Sequence, residues 1–186
     1  PTAEVSPSSL AFDPQAIGSV SPPQAVTISN TGTAPLIVTS VATTGPFVVT
    51  QNCISNPIPA GNSCVENVMF SSLALGAFTG TLTITDNHGG VAGSTQQVQL
   101  AGTARKANTT IAITSVSPNP VLPGKPVKVH YAVTPEPGNL FFIPSGTVTV
   151  TASTGESCTG VAPSRSCLLS FAGAVDRTIT ATYEGD

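Results

Sequence analysis

GTLTITDNHGGVAGSTQQVQLA, residues 80–101, decides the fold class. Two runs of alternating apolar and polar residues, one carrying Leu82 and Ile84 and the other Val98 and Leu100, flank a segment rich in Asp, Asn and Gly. A period of two puts one row of side chains on the buried face of a β-strand. Asp86 and Asn87 start a turn, and Gly89 and Gly90 supply its positive φ.

The same grammar runs outward in both directions. Leu10 and Phe12 alternate in SLAFD, Val26 and Ile28 in QAVTISN, LIVTSVA (36–42) is more continuous, and VENVMF spans 65–70. Asn30-Thr31-Gly32, Thr44-Gly45-Pro46 and Gly76 punctuate these runs. Six or seven short strands in about 100 residues predict a sandwich. A second set follows: TTIAITS (109–115), PVKVHYAV (126–133), GTVTVTA (146–152), CLLSF (167–171) and RTITATY (177–183). Its inward candidates are Ile111, Ile113, Val127, Val129, Tyr131, Val133, Val148, Val150, Leu169, Phe171, Ile179, Ala181 and Tyr183.

Composition agrees with strands. Thr (26), Val (20) and Ser (20) dominate a chain of 186 residues in which charged residues make up 8%. β-Branched side chains suit a pleated surface, strong surface helix formers are scarce, and 17 Gly and 17 Pro interrupt every window long enough for a helix. The expectation is an all-β chain of two tandem immunoglobulin-like antiparallel sandwiches. Residues 1–104 form the first and 105–186 the second, with ARKAN (104–108) at the junction and the second one strand short. A first residue of Pro rather than Met points to a processed chain or an excerpt.

Charge narrows the partners. Six basic residues against nine acidic ones, a net charge of −3, leave no footprint for a phosphate backbone or an anionic membrane surface. No apolar run approaches the length of a spanning helix.

SNTGTAPLIVTSV, GPFVVTQNC, AGNSC, FTGTLTITDN and VQLAGTA occur in that order over residues 8–104. Together they resemble the bacterial immunoglobulin-like domain related to ASPM, SPD-2 and Hydin, also called choice-of-anchor D type. TTIAITSVSPNPVLPGKPV, PSGTVTVTA, SCTG and TITATYEGD resemble a second bacterial immunoglobulin-like repeat found in long surface and secreted proteins. The resemblance implies a β-sandwich array outside the cytoplasm, used as spacer or adhesive module. Two positions depart from the first family. Glu66 stands where an apolar inward residue is usual, so it must be paired, protonated or at the rim, and a sandwich end is the expectation. Ser72 stands where a Pro often follows the strand.

Four cysteines fall two to a sandwich, Cys53 with Cys64 and Cys158 with Cys167. Zinc sites favour C-x₂-C pairs, and a thioredoxin-like pair needs C-x-x-C at a helix start. Ten and eight intervening residues fit neither, so the expectation is one disulfide per sandwich, each worth roughly 3 kcal/mol, in an oxidising compartment. No metal or cofactor is expected. The interdomain calcium clamp of some such arrays lacks its carboxylates in ARKAN.

His88, beside Asp86, reads as solvent-facing turn filler, and His130 has no clear face. Nucleophile-elbow, phosphate-loop and zinc-protease motifs are lacking, so no enzyme is expected. A lectin-like role would lean on exposed Trp or Tyr, but the chain has no Trp and two Tyr, both with inward phase. The adjacent aromatics of Phe141-Phe142-Ile143 cannot both point inward from a regular strand, which makes that loop the candidate interaction surface.

Three roles follow. The first is a non-enzymatic extracellular structural module, a stalk, spacer or display repeat contacting neighbouring domains or copies of itself. The second is a filament subunit assembled by strand addition, with PTAEVSPSSLAF (1–12) as the donor. The third and weakest is an adhesin or glycan-binding module.

Overall fold

The computed structural model describes residues 1–54, 56–137 and 143–185. It divides into two compact units, Pro1–Lys106 and Ala107–Asp186.

The first unit contains β1 (Ala3–Ser6), β2 (Ser9–Ala11), β3 (Gln15–Ala16), β4 (Gln24–Asn30), β5 (Val38–Thr43), β6 (Phe47–Val49), β7 (Ser63–Phe70), β8 (Gly76–Asp86) and β9 (Ser94–Arg105). One sheet has the order β1-β4-β7-β6 and the other β2-β9-β8-β5, with β3 also against β9. All pairs are antiparallel except those of β2 and β3 with β9, which are parallel. The core lies between the sheets. Val26, Ile28, Val68 and Phe70 meet Val41, Leu82, Ile84, Val98 and Leu100, all of them buried. Each such side chain contributes about 1.5–3 kcal/mol, so this cluster outweighs any single crosslink.

Phe70 organises the packing. Its ring centroid is 5.2 Å from that of Phe47, 6.3 Å from Phe12 and 6.1 Å from Phe78. A Cβ at Gly102, on β9, would stand 2.8 Å from ring carbons of Phe70. The inward row of β9 therefore drops to hydrogen at that point, because the ring occupies the space.

The second unit contains β10 (Thr109–Ser117), β11 (Pro126–Pro135), β12 (Thr147–Ala152), β13 (Ser157–Val161), β14 (Ser166–Ser170) and β15 (Ile179–Tyr183). It forms two antiparallel sheets of three strands among the described residues, β10-β11-β14 and β13-β12-β15. Val127, Val129, Tyr131, Val148, Val150, Ala152, Leu169 and Phe171 are buried between them. The inward rows of the flanking strands, Ile111 and Ile113 on β10 and Ile179, Ala181 and Tyr183 on β15, are only half-buried. β15 pairs with β12 on one side, and no described strand is hydrogen-bonded to its other side.

Short 3-10 turns at His88–Gly90 and Ala162–Ser164 are the helical elements of the described residues. Among the described residues no helix is long and apolar enough to cross a membrane.

Candidate functional sites: a buried carboxylate, a latched turn and an open seam

Three places carry chemistry beyond apolar packing. The first surrounds Cys53, which is buried in the loop between β6 and β7 and disulfide-bonded to Cys64 on β7. Glu66, two residues along β7, shares the inward face with Val68 and Phe70 and is 0% exposed. The rim expectation for Glu66 is corrected here. Its Oε1 accepts the Cys53 N–H at 2.8 Å, and its Oε2 accepts the Thr50 hydroxyl at 2.7 Å and the Asn52 N–H at 3.2 Å. Thr50 Oγ1 in turn accepts the Asn67 N–H at 2.9 Å. The desolvation cost of burying a carboxylate, several kcal/mol, is offset by these charge-assisted bonds of about 1.5–3 kcal/mol each. The loop reaching Cys53 is thus held to β7 twice, by a covalent bond and by a carboxylate. The family resemblance marked this position as one where an inward residue is usual, but two of the Glu66 partners are backbone amides, which leave no mark in a sequence.

Ser72 has a comparable local explanation. Its Oγ accepts the Ala74 N–H at 3.1 Å and donates to the Ala74 carbonyl at 2.9 Å. A hydroxyl closes the turn where a Pro would have preset φ.

The second place is the turn after β8. Asp86 Oδ1 accepts the His88 N–H at 2.7 Å, and the Asp86 carbonyl accepts the Gly93 N–H at 3.0 Å. His88 is half-buried, not solvent-facing filler. Its Nδ1 accepts the Ala3 N–H at 2.9 Å, which fastens the N-terminal strand to the turn. His130 is also half-buried, on the face of β11 opposite Val129 and Tyr131.

The third place is the pair of lateral seams in the second unit. One seam is closed by the disulfide between Cys158 on β13 and Cys167 on β14, strands of different sheets. Beside it the buried Tyr131 donates its hydroxyl to the Val161 carbonyl at 3.1 Å and lies 3.3 Å from Ser164 Oγ. Across the opposite seam β10 and β15 approach each other without backbone pairing or a disulfide. A cleft of about 970 Å³ enters there, with Ile113, Val127, Phe171 and Ile179 among the residues lining it. Arg177 stands at its wall, with its guanidinium carbon 4.3 Å from the Phe171 ring centroid and its Nε donating to Thr154 Oγ1 at 2.8 Å.

Of the expected interaction surface, Phe141 and Phe142 lie outside the described residues, and Ile143 is 77% exposed. Tyr131 and Tyr183 both pack on the core. Among the described residues no group of three or more His, Cys, Asp or Glu side chains is placed to hold a metal ion. Two disulfides fit an oxidising environment.

The N-terminal segment expected as a strand donor is already in use. β1 pairs with β4, β2 with β9, and Leu10 and Phe12 are buried in the first core. Donating it to another chain would expose that core.

No protein-family model and no curated protein matches this chain. Solved structures do. The ASH / PapD-like domain of human CEP192 is 14% identical, with 57% of this chain and 87% of that chain covered and a TM-score of 0.46. The secreted serine protease VesC from Vibrio cholerae is 10% identical, with 98% of this chain and 51% of that chain covered, at 0.44. The E. coli chaperone DraB is 12% identical, with 95% and 89% covered, at 0.41. Values this low assign neither a family nor an activity. The fold itself rests on the strands and their pairing.

Proposed function

We propose that the chain is a non-enzymatic structural module of an extracellular protein, two stapled sandwiches serving as stalk, spacer or display repeat. The observation that supports this reading most directly is that each unit has its own core and a disulfide joining two of its own residues. Each unit therefore carries the means to persist alone outside the cell. The test is intact mass of protein recovered from outside the producing cell, alkylated without reductant. No adduct is expected, and four alkylated thiols would overturn the reading. Limited proteolysis before and after reduction completes the test: the oxidised protein should resist, and resistance unchanged by reductant would remove the staples' role.

A second reading, a filament subunit built by strand addition, is favoured by one feature, the open seam along β15. A strand edge without a hydrogen-bonded neighbour, beside half-buried apolar residues, is a template for an added strand. Because residues 1–12 are folded into the first unit, a donor would have to come from elsewhere. Sedimentation over a range of concentrations tests this reading. Polymers that grow with concentration would support it, and a monomer throughout would sink it.

A further inference from the structure

The turn after β8 contains two side chains that packing alone does not explain. His88 Nδ1 accepts the Ala3 N–H at 2.9 Å, and a ring nitrogen that accepts is unprotonated, so this imidazole is neutral with its proton on Nε2. Asp86 is 0% exposed; Oδ1 is taken by the His88 N–H at 2.7 Å, while Oδ2 has no hydrogen-bond partner among the described residues. A buried carboxylate oxygen with no donor is costly, and such groups call for an explanation.

We propose that His88 and Asp86 form an acid-sensitive latch on β1. In the neutral state His88 holds Ala3. Once protonated, His88 carries an N–H at Nδ1 that faces the Ala3 N–H, donor against donor, and the bond is lost. The imidazolium turns instead to Asp86, whose free Oδ2 accepts a hydrogen bond from a ring N–H. The latch is closed while the imidazole is neutral and opens when it is protonated.

The surroundings leave few other titrating groups to drive such a change. On β1 the charged residue is Glu4, which is exposed on the face opposite the half-buried Ala3 and Val5. Pro1 contributes its carbonyl to the Gly89 N–H at 3.0 Å. β9 begins with Ser94, Thr95, Gln96 and Gln97, none of them ionisable. Asp86 is the partner on β8.

What opens is an edge. β1 is the terminal strand of its sheet and, among the described residues, pairs only with β4. It is otherwise tied at its start by the Thr31 N–H to the Thr2 carbonyl at 2.9 Å and the Thr2 N–H to Asn30 Oδ1 at 3.3 Å. Loosening it uncovers the outer edge of β4, a row of backbone groups able to take another strand.

Amide hydrogen exchange of residues 2–6 across pH 5 to 8, corrected for intrinsic rates, tests the latch. Protection of Ala3 is expected to fall about fivefold to tenfold on acidification, the value of one hydrogen bond. His88→Asn, which offers a non-titrating oxygen in place of Nδ1, is expected to flatten the profile. Asp86→Asn is expected to move the transition to lower pH. A wild-type profile flat with pH overturns the proposal, as does an unchanged pH dependence in His88→Asn. A readout free of any variant is the wild-type NMR titration: the Ala3 amide shift must follow the His88 ring with the same midpoint, and two different midpoints would also overturn it.

Discussion

The two units share strand grammar and differ in closure. In the first, the inward rows of β8 and β9 are sealed, with Leu82, Ile84 and Val98 at 0% exposure. In the second, the central strands are as well covered, with Val129, Val148 and Val150 at 0%, but the inward rows of the flanking β10 and β15 are half-buried, and a cleft of about 970 Å³ reaches the core. A period-two pattern therefore specifies which side chains face inward but not how completely a neighbour covers them. Coverage depends on strands distant in sequence.

The comparison is broken most forcefully by matched truncations. Ile84→Ala on β8 should cost 2–5 kcal/mol, the range for a fully buried Ile, while Ile179→Ala on β15 should cost about half as much or less because water already reaches it. Unfolding by denaturant, followed by exchange mass spectrometry in each unit, gives both values. Tyrosine fluorescence isolates the second unit, since both tyrosines, Tyr131 and Tyr183, lie there. Equal losses would mean that the seam is closed in solution.

The disulfides sharpen the same contrast. Their sequence separations are 11 and 9, so removing either by paired Cys→Ser substitution should cost about 3 kcal/mol through the unfolded chain. The absolute loss is the same, but the second unit has the less completely covered core. Under reductant the tyrosine signal should report unfolding of the second unit at a lower denaturant concentration than the first. The reverse order would show that Glu66 and the aromatic cluster contribute less to the first unit than their burial implies.

Glu66 supplies a narrower test of the first unit. In Glu66→Gln one carboxylate oxygen becomes an amide that donates, and it must face either the Cys53 N–H or the Thr50 hydroxyl and Asn52 N–H. The expected loss is about 1–3 kcal/mol, with faster exchange at the Asn52 and Cys53 amides. A loss confined to global stability, with those amides still protected, would separate Glu66 from the loop.

What the sequence disclosed and what it concealed divide along the same line. Alternation located β4, β7, β8 and β9, and it named the inward residues from Ile111 to Tyr183, because apolar burial is written one side chain at a time. It did not show β1, β6 or β13, which are three to five residues long and pair with strands that their own few side chains do not specify. Parallel pairing of β2 and β3 with β9 was equally hidden, since register between distant strands leaves no local signature. The polar sites were the least legible. His88 read as filler because its partner is the backbone of Ala3, 85 residues away. Glu66 read as a rim residue because its partners are amides brought in by a loop.

The smallest expected effect lies at the wall of the open seam. Glu156 is held below the ordinary carboxylate value of 4.5, first by the Thr154 hydroxyl, then by a backbone hydrogen bond and by Arg177, whose guanidinium lies 4.0 Å away. A carboxyl lowered in the folded state favours the folded state when ionised. Its contribution is therefore full above about pH 4.5 and fades as pH falls through the lower folded value. Because the group is partly open to solvent, the contribution is small and weakens with salt. Glu156→Gln should leave the tyrosine-monitored unfolding midpoint nearly unchanged at pH 7 and remove part of its decline on acidification. A large loss at pH 7 would mean that Arg177 depends on Glu156 to stay over Phe171. In that case the wall of the cleft is one coupled unit, and the open seam is built to a shape instead of left uncovered.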